Sequence, residues 1–289
     1  MRYRFIQEHR QQFPIILLCR LMQVSASGYY SWLVRPESPR AGRNRALLVS
    51  IKAAHRASRQ SYGRRRIQAQ LRQDGVPCSV GRVARLMRQE GLAGRRRRRY
   101  RGTTDSQHSL PVAPNLLCRN FTATAPNQVW LSDITYLPCA GGWEYLATVL
   151  DLYNRQIVGW AMGATLERSL TLAALEMALA RRQPAPGLIH HSDRGVQYAC
   201  GDYGALLSQH GLRASMSRKG DPWDNAPQES FFGTLKTELV HDWSRPAREQ
   251  ARREVSDYIE IFYNRQRLHS ALGYRSPVAF AAQATAKAS

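Results

Sequence analysis

The sequence lacks several features that define large classes of protein. Its five cysteines (Cys19, Cys78, Cys118, Cys139 and Cys200) are odd in number, lie far apart and form no CxxC pair. This spacing argues against a disulfide framework and a structural zinc site, and it favours a reduced, cytoplasmic setting. No apolar run approaches the roughly 20 residues of a membrane-spanning helix, and the run PIILLC is too short for a signal peptide. We therefore expect no association with a membrane.

Acidic side chains are scarce in the first two-fifths of the chain. Residues 1–120 contain 25 Lys and Arg but only 5 Asp and Glu, a net charge of +20, whereas residues 121–289 contain 17 and 16. A field this basic favours polyanions, because each neutralised phosphate releases counterions. Nucleic acid is the preferred partner, and a solvated basic face or an acidic partner protein is the alternative.

The chain is long enough for about two or three compact units, and five segments can be distinguished along it. The predicted segments are an N-terminal helical, helix-turn-helix-like segment (1–40), a basic helical DNA-binding domain (41–95), an Arg-rich linker (96–124), an α/β core (125–240), and a C-terminal helical extension with an irregular tail (241–289). The first two segments contain helical runs separated by short turns, which is compatible with helix-turn-helix modules.

The basic domain and the linker carry the predicted DNA contacts. In the helix VGRVARLMRQEGL, for which Ser79 is a good N-cap, the apolar residues are expected to face the core and the arginines the outer side. Such arginines could reach phosphates or base edges, and an ordinary solvated helix face is the alternative. The predicted DNA-binding arginines are Arg64, Arg65, Arg66, Arg82, Arg85, Arg88, Arg95, Arg96, Arg97, Arg98 and Arg99.

From about residue 126 the pattern changes to strands. The run NQVWLSDITYLP is predicted as a strand, and GGWEYLATVL and IVGWAMG form a hairpin through DLYNRQ. A helix (SLTLAALEMALARRQ), a short strand (LIHHSD), a second helix (GDYGALLSQHGL) and a last strand (RASMS) follow. Three strands, a helix and then alternating strands and helices predict a mixed α/β sheet.

Three carboxylates occupy positions typical of a catalytic site. Asp133 lies inside the first strand, where a lone buried carboxylate is costly unless it is paired or holds a metal. Asp193 directly follows a strand, at the end where open α/β sheets place their sites, and Glu229 lies on a helix that packs back over the sheet. Three converging carboxylates are what two divalent cations need, and hard oxygen ligands select Mg²⁺ or Mn²⁺ over zinc.

Helical geometry separates the acids of DNAPQESFFGTLKTEL, residues 224–239. At roughly 100° per residue, Glu229 and Lys236 share one strip beside the buried face, whereas Glu238 points away from that strip. Asp224 and Asn225 stand where a helix begins, and we expect them to act as caps.

Other ionisable residues have less specific positions. An imidazole of His190 or His191 could assist at Asp193, but a supporting or core role is favoured. His269, in YNRQRLHSALGYRSP, either contacts DNA or packs the tail of the chain. Asp151, at the hairpin, could be a fourth metal ligand, although a role in the turn is favoured.

Four motifs together resemble a known family. They are WLSDITY (130–136), HSDRGVQY (191–198), DNAPQESFFGTLKTEL (224–239) and YNRQRLHSALGYRSP (263–277). They resemble bacterial insertion-sequence transposases of the OrfB type, which have a retroviral-integrase core. The 35 residues between Asp193 and Glu229 match the D-D-35-E spacing of that family, and Lys236 matches its basic residue on the same helix. The resemblance extends over essentially the whole chain.

The resemblance implies an RNase H-like catalytic core with a mixed five-stranded sheet, preceded by all-α DNA-binding modules. In this family Asp133, Asp193 and Glu229 would be the catalytic ligands of two Mg²⁺ ions, with Mn²⁺ able to substitute, and Lys236 would contact DNA near the scissile phosphate. The implied reaction cleaves strands at the ends of the element and joins the freed 3′ hydroxyl to target DNA. Ser132 replaces the Thr that usually precedes the first Asp, which keeps the hydroxyl.

The resemblance also implies partners and a location. The implied partners are double-stranded DNA, further copies of the chain in a dimer or larger assembly, and an upstream-frame protein of the OrfA type, either separate or fused to the chain. The implied location is the bacterial nucleoid. Two alternatives remain open, which are a stand-alone nuclease on the same fold and a non-catalytic DNA-binding regulator of the element.

Overall fold

The computed structural model describes residues 1–95, 111–218 and 222–288, and the chain divides into two units, residues 1–52 and 53–289. The first unit contains helices α1 (Arg2–His9), α2 (Ile15–Leu21) and α3 (Ala26–Val34). Ser25 begins α3 by accepting a hydrogen bond from the Gly28 N–H at 3.0 Å. A small apolar cluster of Ile6, Leu18, Cys19 and Tyr29 is buried between these helices.

Helix α4 (Pro39–Ala57) runs from the first unit into the second. It is followed by α5 (Arg64–Gln73) and α6 (Val80–Gln89). The Ser79 side chain accepts a hydrogen bond from the Arg82 N–H at 3.3 Å, which confirms the predicted cap of α6. Val83, Leu86 and Met87 are buried, so the predicted inner face of α6 is confirmed as well.

The second unit contains a mixed five-stranded sheet, as predicted. Its strands are β1 (Val129–Cys139), β2 (Gly142–Asp151), β3 (Ile157–Gly163), β4 (Ile189–Ser192) and β5 (Arg213–Met216). The strand order is β3-β2-β1-β4-β5. The first three strands pair antiparallel, and β4 and β5 continue the sheet parallel to β1.

Four helices accompany the sheet. They are α7 (Arg168–Arg182), α8 (Val196–Ala199), α9 (Gly201–Gln209) and α10 (Ala226–Glu238). Helix α7 approaches β3 so closely that a Cβ at Gly159 would lie 2.1 Å from the Ala174 carbonyl oxygen, so this position requires glycine. Helix α10 packs against β1, the strand that carries Asp133.

The C-terminal part is more regular than the sequence predicted. Helix α11 (Arg248–Asp257) continues into a π-helix, Tyr258–Tyr263, and α12 covers Pro277–Ala288. The prediction of an irregular tail is therefore wrong: Pro277 suits a first helical position, Ser276 accepts from the Ala279 N–H at 3.3 Å, and alanine-rich sequence follows. Within the described ranges, no helix combines the length and apolar character that a membrane crossing requires.

Candidate active site

The pairing of β1 with β4 brings two aspartates to the same level of the sheet. The two strands run parallel, with Trp130 opposite His190 and Leu131 opposite His191. Asp133 stands two residues after Leu131, and Asp193 stands two residues after His191. Neighbouring strands are about 4.8 Å apart. The Asp133 Oδ1 accepts a hydrogen bond from the Ile134 N–H at 2.7 Å, and the Asp193 Oδ1 accepts one from the Gly195 N–H at 2.9 Å.

Helix α10 is fixed over this position by two amide side chains that flank Asp133 in space. The Asn225 Nδ2 donates to the Ser132 carbonyl oxygen at 3.0 Å. The Gln228 Nε2 donates to both oxygens of Thr148, the residue paired with Asp133 across β1 and β2. Sequence reasoning placed Asn225 at the start of the helix but missed its contact with Ser132, and it missed Gln228 altogether. The first turn of α10 is thus tied to the strands around Asp133.

The electrostatics of Asp133 bring the candidate residues together. Its pKa is raised well above the usual range, first by burial, then by the charge of Asp193 and, more weakly, of Glu229. The Ile134 N–H and the charge of Lys236 oppose this rise in pKa. Burial lowers the pKa of Lys236, and Asp133 counteracts that shift. Four residues that the sequence singled out therefore share one electrostatic environment.

The three carboxylates differ in their access to solvent. Asp133 and Asp193 are partly buried, and Glu229 is exposed at the edge of α10. Among the described residues, no group of three or more His, Cys, Asp and Glu side chains is arranged so that it could hold a metal ion. The arrangement thus concentrates negative charge around Asp133, and Glu229 lies where this group of acids meets the solvent.

A layer of neutral histidines lies beneath this site, in agreement with the predicted supporting or core role. The His190 Nε2 is 2.8 Å from the Ser132 Oγ and 3.0 Å from the Tyr203 hydroxyl. His191 contacts the hydroxyls of two serines of the neighbouring chain segment, Ser215 and Ser217, at 2.8 and 3.1 Å. Burial lowers the pKa of His190 to about 3 and that of His191 to about 4. Both imidazoles are therefore uncharged near pH 7.

The cap predicted for Asp224 is wrong. The N-cap of α10 is Asn225, whose side chain makes no cap hydrogen bond. Asp224 is fully buried and accepts hydrogen bonds from Arg218 Nε at 3.0 Å, Arg119 Nε at 3.2 Å and Asn115 Nδ2 at 2.9 Å. Hydrogen bonds from Arg218 hold the pKa of Asp224 well below its usual range. Arg119 lies 105 residues away in sequence, although Arg218 is only six residues away, so helix-start chemistry alone could not identify this role.

The predicted DNA contacts fall into two groups. Arg64, Arg65, Arg85 and Arg88 are exposed, and Arg82 is partly buried. By contrast, the Arg66 NH1 is 3.9 Å from Glu238, and Arg95 forms an ion pair with Asp242 and donates to the Thr237 carbonyl oxygen at 3.2 Å. Residues 96–99 lie outside the described residues. Contact of these arginines with DNA stays a prediction.

Three further residues have environments that bear on their predicted roles. Asp151 is buried and accepts from the N–H groups of Asn127 and Tyr153 at 3.0 and 2.9 Å, as expected for a turn residue. His269 stands edge-on to the Tyr263 ring at 4.9 Å between centroids, which favours packing over DNA contact. The buried Tyr198 hydroxyl has no hydrogen-bond partner within the part of the chain that the structure describes. Sequence reasoning missed Tyr198.

Comparison with known proteins adds family matches along the chain. A family model described as an HTH-like domain matches residues 42–100. Two models described as integrase core domains match residues 123–222 and 210–277. These descriptions agree with the observed sheet order and helical front half. They confirm the predicted fold class, an RNase H-like integrase core preceded by all-α modules.

Curated relatives cover nearly the whole chain. The insertion element IS600 uncharacterized 31 kDa protein of Shigella sonnei is 48% identical over 263 residues, which is 91% of this chain and 97% of that protein. Transposase InsF for insertion sequence IS3A of Escherichia coli (strain K12) is 43% identical over 282 residues, 97% of this chain and 98% of that protein.

Solved structures show a weaker similarity. A chain of the simian T-cell lymphotropic virus intasome in complex with PP2A regulatory subunit B56 gamma has a TM-score of 0.47 at 15% identity, covering 74% of this chain and 70% of that chain. The HTLV-2 integrase catalytic core domain in complex with magnesium has a TM-score of 0.43 at 12% identity, covering 55% and 99%. The sequence relatives are the stronger finding.

Proposed function

This chain belongs to the family of insertion-sequence transposases with an integrase core, and from that premise we propose that it cleaves DNA strands at the ends of its element and joins the freed 3′ hydroxyl to target DNA. The observation that carries this proposal is the parallel register of β1 and β4, which supports a shared site of Asp133 and Asp193. The electrostatic coupling of Glu229 to Asp133 supports Glu229 as the third member.

We propose that the three carboxylates hold two divalent cations, Mg²⁺ or Mn²⁺. The described side chains are not gathered into a metal-holding group, so the proposal rests on donor chemistry: carboxylate oxygens are hard ligands that suit such ions, and no thiolate or imidazole is needed. The raised pKa of Asp133 also fits, because crowded carboxylates are relieved by a nearby positive charge. When bound by Asp133, Asp193 and Glu229, such cations would activate water or a 3′ hydroxyl and would stabilise the leaving oxygen of the phosphodiester.

The chain's own residues would position the reacting groups. The N–H groups of Ile134 and Gly195 orient the two aspartates through the hydrogen bonds described above. Lys236 lies on the same helix as Glu229 and interacts with Asp133, so its ammonium group is suited to bind the phosphate next to the scissile bond.

Binding of the duplex is assigned to the basic front half of the chain. The exposed arginines of α5 and α6 would contact phosphates and base edges. Because two element ends must be brought together, we propose a dimer or larger assembly, acting at the bacterial nucleoid, with an upstream-frame protein as a further partner or fusion.

The test is a cleavage and joining assay with labelled duplex from the ends of the element that encodes the chain, in Mg²⁺ or Mn²⁺. We expect Asp133→Asn, Asp193→Asn and Glu229→Gln each to reduce the rate of product formation by roughly 1000-fold or more, because a ligand of the reacting groups is lost. Asp202→Asn is the matched control, since Asp202 is an exposed acid paired with Arg168 on the surface.

The outcomes separate the alternatives. Joined products that survive the three substitutions would contradict the assigned ligands. Cleavage without joining by the wild-type chain would favour a stand-alone nuclease. Binding without any chemistry, even with the upstream-frame protein supplied, would favour a non-catalytic regulator.

A further inference from the structure

Helix α10 carries a second carboxylate, which is buried, at the end opposite Glu229. Glu238 is 5% exposed and accepts hydrogen bonds from the Arg267 Nε and NH2 and from the Tyr258 hydroxyl, each at 2.8 Å. The two bonds from Arg267 approach different carboxylate oxygens, so the pair is bidentate. Such a pair fixes both the position and the rotation of the end of α10.

The same cluster reaches the basic domain. The Arg66 NH1, on α5, is 3.9 Å from Glu238 Oε1, and the Arg66 guanidinium lies 5.6 Å from the centroid of the Tyr62 ring. The Tyr62 hydroxyl, just before α5, accepts a hydrogen bond from the Leu268 N–H at 2.6 Å. Leu268 directly follows Arg267, so one short segment holds both the start of α5 and the end of α10.

A second link joins the other end of the basic domain to α10. Arg95, six residues after α6, donates to the Thr237 carbonyl oxygen at 3.2 Å and forms an ion pair with Asp242. Thr237 directly precedes Glu238. The C-terminal end of α10 is therefore held by residues from both sides of the helix pair α5 and α6.

The segment that supplies Arg267 and Leu268 belongs to the motif YNRQRLHSALGYRSP, for which the proposed chemistry has no use. A buried ion pair adds little net stability compared with apolar residues of the same size, but it demands a defined geometry. Its place at the junction of α5 and α10 points to positioning. Glu238 lies nine positions after Glu229, about 14 Å along the helix. A tilt of about 5° at the C-terminal end of α10 would displace Glu229 by about 1 Å over this length.

We propose that Glu238, held by Arg267, is a positioning residue that couples the DNA-binding helix α5 to Glu229. In this arrangement Arg66 and Arg95 serve as links to α10, and the exposed Arg64 and Arg65 contact the duplex. The inference rests on the proposed function, because it concerns the placement of a proposed catalytic carboxylate.

The test compares Glu238→Gln with Glu144→Gln in the full chain. Glu144 is a matched control, since it is also buried and paired with two arginines, Arg248 and Arg252, but these lie on α11 and not on the basic domain. We expect Glu238→Gln to lower the single-turnover cleavage rate, at saturating element-end duplex and Mg²⁺ and per folded molecule, by roughly 10- to 100-fold. Glu144→Gln should lower thermal stability and leave this rate unchanged.

A readout without catalysis accompanies the rate. Metal binding stabilises the folded chain, so the Mn²⁺ concentration that half-saturates the thermal stabilisation can be measured without DNA. We expect this concentration to rise in Glu238→Gln and to stay at the wild-type value in Glu144→Gln. Tyr258→Phe removes one hydrogen bond and keeps the ion pair, so it provides a folded variant with an intermediate effect if Glu238→Gln does not fold.

Failure of the inference is distinguishable from failure of the proposed function. If the wild-type chain cleaves while Glu238→Gln and Tyr258→Phe match its rate per folded molecule and its Mn²⁺ dependence, Glu238 is only structural and the inference is overturned. If the wild-type chain shows no chemistry, the proposed function fails. Wild-type cleavage that is lost in Glu229→Gln and reduced in Glu238→Gln, but not in Glu144→Gln, supports both.

Discussion

The two ends of helix α10 surround their carboxylates with opposite kinds of neighbours. Near its N-terminal end, Glu229 is exposed, and its negative charge further raises the pKa of Asp133, which burial and the charge of Asp193 already raise. At its C-terminal end, Glu238 is buried and receives three hydrogen bonds from Arg267 and Tyr258. The same residue type on one helix thus belongs to a group of three acids and Lys236 at one end, and to a buried ion pair with Arg267 at the other.

This difference separates two uses of buried charge. Compensated carboxylates such as Glu238 and Asp224 define how segments meet, because their partners Arg267 and Arg119 come from distant parts of the chain. Crowded carboxylates such as Asp133 oppose folding when they are ionised, and the nearby charge of Lys236 offsets this only in part. Electrostatic crowding, more than burial itself, distinguishes the candidate active site from the other acids of this protein.

The largest expected effect on stability comes from removing the arginine that pairs with Glu238, at the C-terminal end of α10. Arg267→Met would leave Glu238 buried without its bidentate partner, at a cost of about 3–5 kcal/mol in the free energy of unfolding. This corresponds to a fall in Tm of roughly 10 °C, measured by thermal denaturation followed by circular dichroism. Arg168→Met, which breaks an exposed pair with Asp202, should change Tm very little. Equal effects of the two substitutions would contradict the comparison.

A smaller effect on stability, of opposite sign, is expected from replacing Asp133, near the N-terminal end of α10. Because the pKa of Asp133 is higher in the folded than in the unfolded chain, ionisation of Asp133 opposes folding. The metal-free wild-type protein therefore loses stability as pH rises from the unfolded pKa, about 3.9, through the folded pKa. Asp133→Asn removes this loss, so we expect a higher Tm in a metal chelator at pH 7.5 and little gain at pH 4. A lower Tm at pH 7.5 would show that Asp133 is compensated after all.

The smallest expected effect is on the salt dependence of DNA binding, and it distinguishes two neighbouring arginines. Arg65 is exposed, whereas Arg66 is partly buried beside Glu238. Arg65→Gln should reduce the slope of log K against log salt concentration by about 0.9 for binding to a random-sequence duplex, since one phosphate contact is lost. Arg66→Gln should leave this slope unchanged. Fluorescence anisotropy titrations at several salt concentrations measure both slopes, and a reduced slope for Arg66→Gln would return that residue to the DNA contacts.

Much of the core could be predicted from the sequence, because its signals are local. Alternating β-branched runs and turn residues predicted β1, β2 and β3, and the position of Asp193 directly after a strand predicted its place at the sheet end. The inner face of α6 followed from the spacing of its apolar residues. Such signals act within one or two turns or between adjacent strands, so they are visible in a short window of sequence.

The roles of Asp224 and Glu238 could not be predicted in the same way. Arg119 lies 105 residues from Asp224, and Arg267 lies 29 residues from Glu238. No periodicity connects such pairs, since they meet only after the chain has folded. A helical wheel separates Glu238 from Glu229 by angle, but it contains no information about which distant segment covers that side. The same limit applies to Gln228, whose partner Thr148 lies on β2.

The parallel register of β1 and β4 has a consequence for how the gene can vary. Sliding either strand by one residue would set Ser192 or Arg194 at the level of Asp133 and turn the shifted side chains to the other face of the sheet. One inserted codon within β1 or β4 should therefore be more damaging than most substitutions there. Extra codons in the turn between β2 and β3 would leave both aspartates at their positions. Insertions and deletions should therefore be tolerated in turns but not within β1 or β4. The positions at which the chain still folds after an insertion would show which residues of β1 and β4 are paired, without any measurement of activity.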